Sequence, residues 1–360
     1  MTQLPVSIEP IAVPSGLDAP GAADFIAVAE LLNAQLREFW GNDDFYGPPQ
    51  AQLAGRRSTP TRRRELLVAR AGADIVGVAQ INLPLTDNLH SGTVNVVVAP
   101  SARRRGVGTQ LYAAAEQLAA ADNRRMLMAE TDHLPSGETS DPIAHTPSLV
   151  PQDAAALFAS ALGFRLELVD RVSRLELGSA ADDEAVLEQA RAVAGSDYEL
   201  VFWSGACPPD LVDAYALLRQ KMSIDAPMGG LDLAEEVWNE ARVREAEAQA
   251  RDMDAEVLVS AARQVATGEL AGHTVLEIFR NNPAVVYQDD TLVLESHRGN
   301  RLGMLLKAAN LVRLRQMVPE ARRVYTWNAE ENRYMLSINE RLGFRPIGYS
   351  GEWQKELSAE

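Results

Sequence analysis

The stretch that decides the fold is VNVVVAPSARRRGVGTQLY, residues 94–112. It predicts a β-branched strand that ends before Pro100, a basic turn, and a helix that begins at Gly106. The first N–H groups of a helix have no partner within the helix, and the helix dipole makes this end positive. The glycines Gly106 and Gly108 let a ligand approach the backbone closely. The strand, turn and helix together predict an anion site of the kind that binds phosphate.

A second copy of this stretch indicates an internal duplication. RGNRLGMLLKAA at 298–309 resembles RRRGVGTQLYAA at 103–114, and LGF occurs at both 162–164 and 342–344. The two spacings differ because the first half carries an additional stretch, 132–150, whose Pro, Ser, Thr and Asp residues predict a loop. A repeat this long predicts two similar domains in tandem.

The predicted domains span 1–178 and 198–360, with 179–197 as a linker. Each half is predicted to run β-α-α-β-β-β-α-β-α-β, which is an α/β (α+β) arrangement. In the second half the apolar spacing predicts a helix at 233–251, and one or two strands are expected to close each half.

The composition limits the partners of the chain. A formal net charge of −16 argues against a general nucleic-acid binder and favours, weakly, a cationic substrate. Cys207 is the only cysteine, so no intrachain disulfide is expected. The chain lacks a run of about 18 apolar residues, and MTQLPVSIEP at 1–10 lacks the features of a secretory signal. We therefore expect a cytoplasmic protein without a membrane partner.

Two motifs in each half carry a resemblance to a known superfamily. Residues 103–108 fit the pattern Gln/Arg-x-x-Gly-x-Gly/Ala. Residues 332–344 keep the first Asn and the final Gly-Phe of the pattern Asn-x-x-Ala-x-x-Leu-Tyr-x-x-x-Gly-Phe, whereas 152–164 keep Gly-Phe and have Gln152 in place of Asn. Both patterns are signatures of the GNAT (Gcn5-related N-acetyltransferase) superfamily, which the chain resembles.

This resemblance implies two GNAT folds in tandem, each a mixed, mostly antiparallel sheet of six to seven strands with helices on both faces. Residues 222–238, which we interpret as a loop, resemble a stretch of the tandem GNAT proteins of actinobacterial type. That group includes mycothiol synthase.

The resemblance also implies acetyl-CoA as the cosubstrate, with its diphosphate at the two turns, and no metal. The residues expected to bind it lie on the strand before each turn, in the turn, and at the late helix. They are Val96, Val98, Arg103, Arg104, Arg105, Gly106, Val107, Gly108, Thr109, Val293, Leu294, Arg298, Gly299, Asn300, Arg301, Leu302, Gly303, Met304, Asn328 and Asn332.

The second turn departs from the pattern at one position. Arg301 stands where the first glycine is usual, which puts the close approach of the backbone in doubt. Gly299 can supply the flexibility instead, and Arg301 is itself a candidate phosphate ligand.

In this superfamily the amine attacks the thioester directly, a base removes the amine proton, and a tyrosine on the late helix often acts as the acid. Ala159 and Asn339 stand at the tyrosine position, so both halves lack it. The candidate catalytic residues are Asp290, Glu295 and Tyr349. Other candidates are Asp289 and His90 for the base, and Tyr325, Tyr334 or a water for the acid.

The sequence thus predicts an acetyl-CoA-dependent N-acetyltransferase that acts on a primary amine of a small molecule. The second half is expected to catalyse, and the first to be structural or to bind CoA without turnover. A protein lysine or N-terminal acetyltransferase and a non-catalytic CoA-binding regulatory module are the alternatives. The chain is expected to be a monomer or a homodimer.

Overall fold

The computed structural model describes residues 3–135, 150–178 and 180–357, so most of the predicted 132–150 loop lies outside it. Its strands are β1 (Ser7–Ile11), β2 (Arg62–Ala71), β3 (Asp74–Pro84), β4 (Ser91–Val98), β5 (Met126–His133), β6 (Arg165–Glu176), β7 (Tyr198–Ser204), β8 (Ala255–Gln264), β9 (Leu270–Phe279), β10 (Val285–Val293), β11 (Arg323–Ala329) and β12 (Arg345–Glu356). Its helices are α1 (Ala22–Trp40), α2 (Pro49–Arg56), α3 (Val107–Ala121), α4 (Ala154–Ala161), α5 (Ala180–Ala194), α6 (Val212–Asp225), α7 (Glu240–Asp252), α8 (Leu302–Met317) and α9 (Arg333–Leu342). None of the helices in the described ranges is long and apolar enough to cross a membrane.

The chain forms two compact units. Unit 1 contains Met1–Thr131, Gln152–Glu167 and Glu352–Glu360, and unit 2 contains Asp132–Pro151 and Leu168–Gly351. Most of β6, the last strand of the first half, therefore belongs to unit 2, and the end of β12 belongs to unit 1.

The strands of unit 1 lie in the order β1-β2-β3-β4-β5-β12. Neighbours from β1 to β4 are antiparallel, and β4 and β5 are parallel. The end of β12 is held to this sheet by two hydrogen bonds. Trp353 Nε1 donates to Thr131 Oγ1 over 2.7 Å, and the Leu357 amide donates to the Arg125 carbonyl over 2.8 Å.

Helices cover both faces of this sheet. Phe25 of α1 and Leu53 of α2 pack with Val78 of β3. The next residue along, Gly77, faces Leu111 of α3, whose side chain lies 2.8 Å from where a Cβ at Gly77 would stand. Because successive strand residues point to opposite faces, α1 and α2 lie on one face and α3 on the other.

The strands of unit 2 lie in the order β12-β6-β11-β10-β9-β8-β7. The pairs from β7 to β10 and the β6–β11 pair are antiparallel, and β10 and β11 are parallel. On one face Tyr215 of α6 and Val243 of α7 pack with Val275. On the other face Leu314 of α8 packs with Leu276, the next residue of β9. Each unit thus has mixed, mostly antiparallel strands with helices on both faces, with β12 included in both strand orders, which confirms the predicted fold class.

Three helices correct or complete the sequence interpretation. The predicted helix at 233–251 begins only at Glu240, because the Asn239 side chain accepts the Arg242 amide and caps it there. The predicted order includes a second helix in the first half, and the structure places it at α2, whose eight residues are too few to show a clear helical period in the sequence. Within the predicted linker, residues 184–193 predict a short helical stretch, which the structure extends to α5, and Leu187 packs this helix against α8.

Candidate active site

The two turns at the start of α3 and α8 have the same backbone conformation. In unit 1 Arg104 and Gly106 have positive φ values of 60° and 82°, and in unit 2 Gly299 and Arg301 have 88° and 55°. Arginine at 301 therefore adopts the left-handed conformation that the missing glycine would have adopted, at a cost of about 1–2 kcal/mol. The replacement of the usual glycine by Arg301 therefore does not change the shape of the turn.

Both turns leave backbone amides available. Within the described residues, the amides of 104–106 and of 299–301 donate to no backbone carbonyl. The next amides open α3 and α8 and lack intrahelical acceptors by geometry. Each turn thus presents a row of N–H groups at a positive helix end, which is the donor set that a diphosphate requires. The residues present fit the diphosphate of acetyl-CoA.

The first arginine of each turn holds the turn to its own unit. Arg103 Nε donates to the Val98 carbonyl over 2.9 Å, and its two terminal nitrogens pair with Glu38 over 2.9 and 2.7 Å. Arg298 Nε likewise donates to the Val293 carbonyl over 3.3 Å, and its guanidinium pairs with Asp225. These two predicted ligands are engaged within the chain, and their observed role is to brace the turn.

The last glycine of each turn allows close packing of the late helix. A Cβ at Gly108 would lie 3.1 Å from Phe158 of α4, and one at Gly303 would lie 3.0 Å from Ile338 of α9. Few real Cβ contacts are this short, so both positions require a small residue. The glycines serve helix packing as well as access to the amides.

The parallel strand pair of each unit separates next to the turn. In unit 1 the pairing of β4 with β5 extends from Ser91 to Thr93, although β4 continues to Val98. In unit 2 the pairing of β10 with β11 ends at Gln288, and the register of β10 with β9 shifts between Gln288 and Thr291. Asp289 and Asp290 occupy this bulge, where a strand bends and redirects its side chains.

A partly buried ion-pair cluster surrounds the bulge. Arg219 Nη1 of α6 lies 3.0 Å from Asp290 and 3.3 Å from Asp289. His273 Nε2 of β9 is fully buried and lies 3.9 Å from the Asp290 carboxylate. The cluster therefore joins α6 to the two consecutive strands β9 and β10, which lie far from α6 in sequence.

The two aspartates respond differently to this environment. Burial opposes the charge of Asp290, but Arg219 and His273 outweigh it and hold the pKa of that carboxyl below its usual value. Burial and repulsion by Asp290 raise the pKa of Asp289. Burial lowers the pKa of His273, which favours the neutral ring. Asp290 is thus a stable anion, and Asp289, whose side chain is 52% exposed, is the more basic and accessible of the two.

A cavity of about 120 Å³ adjoins the cluster. It lies between α6, α7 and strands β7 to β10, and its lining includes Trp203, Tyr215, Trp238, Glu277 and Asp289. Tyr215 and Trp203 make an edge-to-face contact with ring centroids 5.1 Å apart. The Arg219 and Arg242 guanidiniums each lie 4.7 Å from the centre of the Trp238 ring, which fixes that wall of the cavity.

The equivalent positions of unit 1 carry no such chemistry. Asp225 in unit 2 and Glu38 in unit 1 each pair with the first arginine of the turn. Counted back from these two residues, Arg219 corresponds to Leu32 and Tyr215 corresponds to Val28. His273 corresponds to Val78, because each lies opposite the residue that precedes the last residue of the neighbouring strand, Val293 or Val98. By the same spacing from the turn, Asp290 corresponds to Asn95. Leu32, Val28 and Val78 are packed together in an apolar core.

The remaining predicted catalytic residues lie outside this cavity. Glu295 is exposed at the start of the turn, where its carbonyl accepts the Arg298 amide over 3.2 Å. Tyr349 lies in β12, where burial and the neighbouring Glu330 raise its pKa. Both stay predictions.

The predicted cosubstrate residues of the late helix take up defined positions. Asn332 caps α9 by accepting the Met335 amide over 3.1 Å. Asn328 Oδ1 accepts from Asn339 Nδ2 over 2.6 Å, and Asn339 Oδ1 accepts from the Lys307 ammonium over 2.7 Å. The position of the usual tyrosine is therefore filled by a buried amide that a buried lysine holds.

The other residues predicted to contact acetyl-CoA stay untested predictions. They line the strand ends and turns just described: Val96, Leu294, Arg105, Val107, Thr109, Asn300, Leu302 and Met304.

Comparisons with known proteins agree with this arrangement. The sequence profile of the acetyltransferase (GNAT) family matches residues 26–136. A tandem GNAT protein from the clavulanic acid biosynthesis pathway has 27% sequence identity and a TM-score of 0.76, over 99% of this chain and 100% of that chain. No curated protein matches the sequence.

Two more distant structures share the fold. A GCN5-related N-acetyltransferase from Sphaerobacter thermophilus has 15% identity and a TM-score of 0.62, over 99% of this chain and 98% of that one. A glucosamine N-acetyltransferase region of a fungal multi-domain β-N-acetylglucosaminidase has 15% identity and a TM-score of 0.63, over 99% of this chain and 38% of that one.

The fold, the paired turns and these similarities define a class: residues 26–136 match the acetyltransferase (GNAT) family, and the whole chain has the fold of a tandem GNAT protein. More particularly, the matched family is one of acetyltransferases, which use acetyl-CoA as the cosubstrate.

Proposed function

We propose that unit 2 transfers the acetyl group of acetyl-CoA to the primary amine of a small molecule. The single observation that carries this proposal is the ion-pair cluster at the β10 bulge, beside the turn at 299–304. Unit 1 has a turn of the same shape but an apolar core in place of the cluster. Proton transfer from an amine requires titratable groups, and only unit 2 presents them at this position.

Each part of unit 2 has a proposed role. The amides of the turn at 299–304 hold the diphosphate, and acetyl-CoA supplies the activated acyl group when bound. Asp289, at the exposed edge of the cavity, attracts the ammonium form of the acceptor. Asp290, whose pKa is lowered, is a weak base and instead keeps Arg219 in position.

The cavity supports a small acceptor. At about 120 Å³ it is smaller than a 150 Å³ cavity that holds benzene. A short unbranched amine-bearing group fits such a space, and a bulky one does not. We further propose that unit 1 binds CoA without turnover, because its turn is preserved and its acid–base groups are absent.

Thiol release from acetyl-CoA with a panel of small primary amines tests this function. We expect turnover by the wild-type chain and at least a tenfold lower kcat/KM for Asp289→Asn. The matched control is Asn95→Ala in β4 of unit 1, which is expected to change kcat/KM less than twofold. Equal losses in both variants, or a loss only in Asn95→Ala, would contradict the assignment to unit 2.

Two other outcomes would replace the proposal. Mass increases of 42 Da on intact proteins, without turnover of small amines, would point to a protein lysine or N-terminal acetyltransferase. Binding of CoA without thiol release for any acceptor would point to a regulatory module.

A further inference from the structure

One carboxylate in the cavity of unit 2 has no partner. Glu277 of β9 lines the cavity together with Asp289, and among the described residues it makes no hydrogen bond or ion pair. Glu277 is partly buried, and its carboxylate has no hydrogen-bond donor among the described residues. Because buried polar groups are usually paired, a partly enclosed carboxylate of this kind suits a cationic ligand.

The other charges of the cavity are already compensated. Glu247 of α7 pairs with Arg244 over 2.9 Å and accepts the Cys207 amide over 2.7 Å. Arg219 is paired with two aspartates at 3.0 and 3.3 Å. An incoming anion would meet no free cation, whereas an incoming cation would meet Glu277.

The walls suit a short apolar chain behind the charge. Val257, Val259 and Val275 line the cavity along the sheet, and Trp203 and Tyr215 form its aromatic side. Such walls stabilise the methylene groups that they remove from water. The volume of about 120 Å³ limits the enclosed group to a few carbon atoms.

On the basis of the proposed function, we infer that this cavity binds the acceptor as a small alkylammonium ion without a carboxylate beside the amine, and that Glu277 is its carboxylate partner and proton acceptor. One N–H bond of R–NH₃⁺ breaks, the nitrogen keeps the electron pair, and the proton forms an O–H bond on Glu277. The products are R–NH₂, which is nucleophilic, and a neutral carboxylic acid.

The electrostatic surroundings of Glu277 suit this role. Burial and the charge of Asp289 raise the pKa of Glu277 to about 7, against the opposing effect of Arg219. Glu247 is a further carboxylate in the same cavity. A base that titrates near neutral pH is matched to general base catalysis.

Direct binding of an amine, without acetyl-CoA, tests the site separately from turnover. Calorimetry with butylamine should show at least a tenfold weaker affinity for Glu277→Gln than for the wild-type chain, and partial recovery for Glu277→Asp. Norvaline, which is butylamine with a carboxylate beside the amine, should bind at least tenfold more weakly than butylamine. The control is Asn82→Ala, at the equivalent position of β3 in unit 1, which should leave both affinities unchanged.

Activity provides the second readout. The kcat/KM of the wild-type chain should rise through an ionisation near pH 7, and this ionisation should be absent in Glu277→Gln. Equal melting temperatures of the variants confirm that folding is retained.

The outcomes separate the inference from the function on which it rests. Unchanged butylamine affinity in Glu277→Gln, or equal affinity for norvaline, would overturn the inference even if acetyl transfer is observed. Amine binding that depends on Glu277, with no acetyl transfer to any amine, would support the cation site and overturn the proposed function.

Discussion

Replacing Lys307 with methionine should change how the stability of unit 2 depends on pH. Lys307 of α8 is 2% exposed, and its ammonium donates to Asn339 Oδ1 over 2.7 Å. Burial lowers the pKa of Lys307 from its ordinary value of 10.5 to about 7. That difference corresponds to about 5 kcal/mol of unfavourable free energy when the folded protein carries the proton.

The sign follows from proton binding. Between pH 7 and pH 10.5 the unfolded chain binds a proton on this lysine and the folded protein does not, so the stability of the wild-type chain rises with pH. Between pH 7 and pH 9 the gain is about 2 kcal/mol. Methionine carries no proton and removes this dependence. The loss of the hydrogen bond to Asn339 lowers the free energy of unfolding by about 1–3 kcal/mol at every pH. This loss therefore leaves the pH dependence of the stability unchanged.

Urea unfolding followed by the fluorescence of Trp203, Trp238 and Trp327 in unit 2 measures this effect. The stability of the wild-type chain minus that of Lys307→Met should increase by about 2 kcal/mol from pH 7 to pH 9. Lys221→Met is the control, since Lys221 is 44% exposed and its charge stays hydrated. A difference for Lys307→Met that stays constant across this range would refute the reasoning.

Three further substitutions test the packing described above. Glu330 is 4% exposed, and Arg171 lies 2.5 Å from its carboxylate. Arg171→Leu removes this partner and should destabilise unit 2 by about 3–5 kcal/mol in urea unfolding. A loss below about 1 kcal/mol would contradict a buried pair. Gly303→Ala places a Cβ 3.0 Å from Ile338 and should cost about 1–3 kcal/mol by the same assay, whereas no change would show that α9 shifts freely. Asn332→Ala removes the cap of α9 and should cost about 1 kcal/mol, with Asn332→Asp as the conservative control that retains the cap.

The sequence was most informative where local chemistry decides the structure. Residues 94–112 predicted a strand, a basic turn and a helix, because β-branched residues, a proline and glycines each favour one local conformation. The apolar residues of α1 keep a helical period throughout, so the sequence alone predicts a helix over 22–40, which has the observed ends. The start of α7 was missed because the amides of Glu236 and Trp238 donate to side chains of α6, a contact that depends on tertiary structure.

The site was less predictable, because the sheet brings together residues that are distant in sequence. Asp289 and Asp290 were visible as two acidic residues in a β-branched strand. Arg219 and Glu277 gave no local signal, since they lie about 60 residues apart and meet only across α6 and β9. Lys307 offered a signal that was not used: a single lysine within the apolar run of α8.

Whether acetyl transfer depends on the turn of unit 2 is tested most directly by reversing one charge in each turn. Arg301 and Arg104 are both exposed, both have positive φ, and neither side chain makes a hydrogen bond or ion pair within the described residues. We predict that Arg301→Glu lowers kcat/KM for acetyl-CoA at least tenfold and that Arg104→Glu lowers it less than threefold. The reverse order, or two equal effects, would contradict an active site in unit 2.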